Sequence, residues 1–176
     1  MPPLSAFGFA FRSAVARGGA AVRRGFRVAG RFLRLERGRR ALLVEAAVWL
    51  VVARITLMVL PFSRIAPRLG RSLAPEQGRR YGFPEPPSPR SSAIAREVGW
   101  AVTRAARHLP FRAVCLPQAM AAKVMLRRRG VVSVLSFGVA PARVMQGESH
   151  AWLTAAGVEV TGYPTAAAFT EVVCYV

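Results

Sequence analysis

The sequence predicts an α+β fold with helices first and a small antiparallel sheet last. Three observations carry that reading. Apolar residues recur at helical spacing in stretches before His108, and again between Pro117 and Gly130. Short, β-branched segments are confined to the part after Gly130. Between the two lies PEQGRRYGFPEPPSPRSS (Pro75 to Ser92), where proline, glycine and serine displace any periodic pattern. The 176 residues suit one domain of ordinary size or a small domain with a tail, and a hydrophobic content of 53% supplies a core and rules out wholesale disorder.

Composition excludes several chemistries. All eight acidic residues are glutamate, and the chain has neither aspartate nor asparagine. An aspartate-containing triad, an EF-hand and an aspartate-based phosphoryl-transfer site are therefore out of reach. Two histidines (His108, His150) and two cysteines (Cys115, Cys174) match no zinc spacing, so neither a metal nor another cofactor is expected. Two distant cysteines build no disulfide framework, which favours a reducing, cytoplasmic compartment.

Taken in order, residues 1–30 form a basic extension. Residues 1–40 hold ten arginines against Glu36, a balance of +9 within a total of +18. Val22, Phe26, Ala29 and Leu33 fall at helical spacing with Arg23, Arg24, Arg27 and Arg31 pointing elsewhere, the pattern of a basic amphipathic helix. Such a helix suits an anionic membrane surface, nucleic-acid phosphates or an acidic partner, and a solvated extension has the same composition. No uninterrupted apolar run follows the first arginines, against a secretory signal.

Residues 31–74 read as a helical region. Ala41 to Phe62 is long enough to span a bilayer, but Glu45 and Arg54 interrupt it. A central Arg costs about 2.5–3.5 kcal/mol, and each large apolar residue returns only about 0.3–0.6, so insertion is near balance. The sequence favours a helix buried in a soluble domain, ended at Pro61, and leaves peripheral membrane contact open. Residues 75–92 read as a loop and 93–176 as the core domain. There, Ile94, Val98, Ala101, Val102 and Ala105 give a helix up to His108. A second helix begins near Cys115 and closes at Gly130, with Pro117 in its first turn and Arg127, Arg128 and Arg129 in its last. Val131–Val139, Ser149–Thr154 and Val158–Tyr163 read as strands, and Phe169 to Val176 as a terminal one.

Cys115 stands at a helix start, where unpaired N–H groups favour a thiolate, and His150 begins a strand that could run beside it. A cysteine nucleophile needs such an imidazole and a third group to orient the ring. A lone cysteine on an alanine-rich helix is more often simply core, so the surrounding residues decide. CLPQAMAAKVMLRRRG and SHAWLTAAGVEV together resemble the leader peptidase of lasso-peptide biosynthesis, a transglutaminase-like (papain-like) cysteine protease. The stretch from Arg31 through the long apolar helix resembles that family's arginine-rich opening.

The resemblance implies a papain-like core with the cysteine at a helix N-terminus packed on a small sheet. It implies that Cys115 attacks the bond between leader and core of a ribosomally made precursor, that His150 acts as base and then acid, and that the Cys115 N–H helps hold the oxyanion. The implied partners are the lasso precursor peptide, a leader-recognition protein and an ATP-dependent cyclase resembling asparagine synthetase.

That family's third residue is usually an aspartate about a dozen residues past the histidine, where this chain reads EVTGYP. A two-residue turn at Ala155-Ala156 would set Thr161 opposite His150 with Glu159 diagonal to it. A three-residue turn ending in Gly157 would set Gly162 opposite instead. Glu159, Thr161 or a backbone carbonyl therefore remain as candidates to orient the ring. The competing reading is a non-catalytic basic protein bound to membrane or nucleic acid, nucleic acid being the less favoured.

Overall fold

A computed structural model describes residues 35–84, 86–140 and 149–176. The expected amphipathic helix around Val22 to Leu33 and the Pro141 to Gly147 connection lie outside the described residues. The chain divides into units Met1–Arg40 and Ala41–Val176, and the second contains every candidate site residue.

Among the described residues five helices and five strands follow one another: α1 Arg37–Val59, α2 Phe62–Leu69, β1 Ser72–Leu73, α3 Pro75–Gly82, α4 Pro89–Ala106, α5 Cys115–Arg127, β2 Val134–Val139, β3 Ser149–Ala155, β4 Val158–Thr161, a 3-10 turn at Thr165–Ala168, and β5 Thr170–Tyr175. The sheet order is β1-β5-β2-β3-β4 and every pairing is antiparallel. The α+β expectation holds.

One sequence expectation is corrected. Residues 75–92 are not a continuous loop, because Pro75–Gly82 folds as α3. Pro75 sits in the first turn, where its missing N–H costs nothing. Gly78 and Gly82 leave room for the helix to lie directly on the sheet: a Cβ at Gly78 would stand 2.2 Å from Cys174 Sγ, and one at Gly82 2.4 Å from Thr154 Oγ1. Glycines that look like breakers are contact points here. Helix α4 likewise begins at Pro89, earlier than its apolar pattern announces, with Ser88 Oγ accepting from the Ser91 N–H.

Helices α4 and α5 pack on each other, α4 against β4, and α5 against β2, β3 and β4. Their buried side chains, with Val98, Val102, Met125 and Leu126 fully enclosed, meet Leu135 and Leu153 from the sheet. Each such side chain contributes about 1.5–3 kcal/mol through burial. Gly130, at φ +68°, closes α5 by letting the Val131 N–H reach back to the Leu126 carbonyl at 3.0 Å. The single lysine, Lys123, points from α5 to the Ser133 and Tyr175 carbonyls (2.8 and 3.1 Å), tying the helix to two strand ends.

Candidate active site

The helix bearing Cys115 starts without a side-chain cap. Val114 occupies the N-cap position and donates no oxygen, so the first-turn N–H groups of Cys115 and Leu116 are not consumed by a capping side chain. Pro117, which has no N–H, leaves nothing further to satisfy at its position. Cys115 itself is partly exposed. A partly exposed thiol beside open N–H donors is what an acyl-transfer nucleophile requires, because the same donors can hold the oxyanion that attack creates. Gln118 donates Nε2–H to the Ala113 carbonyl at 2.6 Å and braces the chain entering the helix.

His150 lies on β3, the strand against which α5 packs. Its Nε2 is 2.8 Å from the Gly162 carbonyl oxygen. A carbonyl only accepts, so the Nε2 proton is donated there and the neutral ring keeps its lone pair on Nδ1. The ring stacks with Trp152 (centroids 6.2 Å apart, 23° between planes) and Phe169 (5.0 Å, 27°), which hold its plane. Tautomer and orientation are thus both set by neighbours.

The hairpin explains how a glycine carbonyl takes that place. Its turn is Ala156-Gly157, both at positive φ (+49° and +76°), the two-residue geometry that matches strand twist. Ala155 pairs with Val158 and Thr154 with Glu159, and then the register slips so that Thr161 faces Leu153. This corrects both hairpins read from sequence, since neither places the turn at Ala156-Gly157. Glu159 is exposed opposite Thr154, and the Thr161 hydroxyl is buried with no hydrogen-bond partner among the described residues. It is the next residue, Gly162, that reaches the imidazole. At φ +87° it has no room for a side chain: a Cβ would stand 2.7 Å from both the Ala151 carbonyl and Trp152 Cβ. A glycine after a strand reads as a simple breaker, which is why the sequence understates it.

Among the described residues, no hydrogen bond joins Cys115 Sγ to the His150 ring. Cys115 and His150 sit on elements packed against each other.

The comparisons with known proteins bear on this arrangement. A family model described as the transglutaminase-like superfamily matches residues 56–174. The chain belongs to the transglutaminase-like superfamily. The match takes in α5, the His150 strand and the Gly162 segment, and it begins well before the core boundary at residue 93 expected from sequence. No curated protein and no solved structure matches the chain. Membership in a superfamily of transglutaminases and cysteine peptidases fits thiol-based acyl chemistry at this site.

Cys174 plays no comparable part. It is buried on β5 and donates its S–H to the Leu73 carbonyl (3.3 Å), and burial pushes its thiol pKa up.

Proposed function

We propose that the protein is a cysteine peptidase that removes the leader from a ribosomally made lasso-peptide precursor, with Cys115 as nucleophile and His150 as general base and then acid. The observation that carries the reading is the His150 Nε2–Gly162 carbonyl hydrogen bond, which leaves Nδ1 free to take the thiol proton. The CLPQAMAAKVMLRRRG and SHAWLTAAGVEV blocks support the choice of substrate. In this chemistry Nδ1 accepts the proton as Sγ bonds to the scissile carbonyl carbon. The Cys115 and Leu116 N–H groups hold the oxyanion, and Nδ1–H then protonates the leaving amine. Water, deprotonated by the same nitrogen, releases the leader from the thioester. A leader-recognition protein would deliver the precursor, and an ATP-dependent cyclase would consume the freed core.

The test is cleavage of a precursor followed by mass spectrometry. Cys115→Ala is expected to abolish cleavage with an unchanged melting curve, and His150→Ala to slow it by about two orders of magnitude or more. Retained cleavage by Cys115→Ala removes the assignment.

A second property is favoured by α1. Leu43, Ala46, Leu50 and Ala53 are buried, whereas Val44, Val48, Val51, Val52, Ile55, Met58 and Val59 are exposed. At 100° per residue those seven fall within about 120° of the helix circumference. We infer that this face lies on an anionic lipid surface, the occupant that suits a chain of net charge +18 with exposed Arg54, Arg64 and Arg68 nearby. By length and composition the helix is long and apolar enough to cross a bilayer. Its four core residues and the ion pair of Glu45 with Arg129 favour lying on the surface instead.

A further inference from the structure

A cavity of about 630 Å³ opens on the sheet beside His150, within the size range of ligand sites. Strand alternation puts His150, Trp152 and Thr154 on one face, and Trp152 and Phe169, the two rings stacked on His150, are also cavity walls. On its floor, Ser136 and Thr154 are only 3% and 4% exposed. The cavity also reverses the sign of the molecule. Two of the eight glutamates, Glu159 and Glu171, line it in a chain of net charge +18.

Glu171 is the informative one. Its side chain is 13% exposed, and its ion-pair partner is Arg79 Nε at 3.8 Å, a side chain that is 71% exposed. Among the described residues this sheltered carboxylate is held by one long contact to an exposed arginine, less than burial of a charge demands. Tyr163 lines the same cavity. Burial first, and then the charges of Glu159 and Glu171, push its hydroxyl pKa up, so both carboxylates bear on one point of the wall. Aromatic walls, hydroxyls below and two carboxylates suit a guest with an apolar stem and a cationic head.

We propose that this cavity binds the arginine or lysine side chain of the peptide on which Cys115 acts, so that a basic residue near the cleaved bond sets specificity. The proposal rests on the peptidase reading, because it takes the cavity beside His150 as part of the substrate path. Arg79 is the competitor such a guest displaces from Glu171.

The test uses the full chain carrying Cys115→Ala, with n-butylguanidinium as probe and n-butylurea as its neutral counterpart, titrated by calorimetry. The cation should bind at least about tenfold more tightly than the urea, as expected for hydrogen bonds to a charged group. Glu171→Gln should weaken cation binding about tenfold and Arg79→Ala should tighten it, opposite signs that a merely structural role does not produce. Glu159→Gln, at an exposed position, supplies a variant whose folding is not at stake. Equal affinity for the two probes, or binding of neither, overturns the proposal. The two readings also fail separately. Loss of cleavage in Cys115→Ala without cation binding sinks the cavity alone, whereas cation binding with cleavage intact in Cys115→Ala sinks the peptidase and, with it, the substrate role of the guest.

Discussion

Helices α1 and α5 are both apolar along most of their length, but the protein treats them differently. Helix α5 is enclosed, with Ala119, Met120, Ala121, Ala122, Met125 and Leu126 all buried against α4 and the sheet. Helix α1 buries one stripe and leaves seven large or medium apolar side chains in the open. Composition does not separate the two, since neither carries more than a few charges. Position in the layers does: α5 is packed between α4 and the sheet, while α1 forms an outer layer with a free face. One helix is core and the other is surface.

The largest expected effect is on α5. Met125→Ala deletes a fully buried side chain and should cost about 2–5 kcal/mol, read as a fall in denaturation midpoint. Ile55→Ala on the open face of α1 should change solution stability by no more than about 0.5 kcal/mol. Equal costs would erase the distinction drawn here.

Next in size is a pH effect confined to α5. Burial, with Arg127 nearby, lowers the Lys123 pKa from 10.5 to about 8. The folded state therefore sheds this proton before the unfolded chain does, so folding stability rises as pH climbs from about 8 towards 10.5. Below 8 both states are protonated and the penalty is constant. Lys123→Met should remove this rise, at most about 3 kcal/mol over the window. Parallel stability-pH curves for the two proteins would show that Lys123 titrates normally. Smaller again, and in the other helix, Val48→Glu with Ile55→Glu should abolish sedimentation with phosphatidylglycerol vesicles while the melting temperature stays put. Unchanged sedimentation would remove α1 from the membrane reading.

Much of this was legible in sequence, and the gaps have physical causes. The helices α4 and α5, the strand order after Gly130 and the Cys115 and His150 positions follow from periodicity, punctuation and motif. Helix α3 was not legible because its glycines serve close approach to Cys174 and Thr154, a property of the tertiary structure. A backbone carbonyl was among the candidates to orient His150, but which candidate does so was not legible, for a related reason. Register past a bulge depends on where the extra residue is absorbed, and Leu153 facing Thr161 shifts everything beyond it. A backbone carbonyl also leaves no signature in side-chain identity. Nor does sequence tell a helix enclosed on all sides from one enclosed on one side when both are apolar.

The smallest effect probes the seam between the two helices. Glu45 on α1 accepts from both terminal nitrogens of Arg129, whose Nη1 also reaches the Met125 carbonyl at 2.9 Å, and Arg128 lies over the Trp49 ring at 6.0 Å. Arg128 and Arg129, at the C-terminal end of α5, therefore clamp α1. The hydrogen bond from Arg129 is the main cause of a Glu45 carboxyl pKa held below its usual value, against a smaller opposing effect of burial. A depressed carboxylate pKa means stability that is present above the unfolded value near 4.5 and lost as pH falls through the folded one. With both side chains about a quarter exposed, the pair should contribute about 1 kcal/mol. Glu45→Gln should therefore lower stability by that amount at pH 7 and by progressively less below pH 4.5. A loss that stays the same down to pH 3 would mean that packing along α1, and not the clamp, joins the outer helix to the inner one.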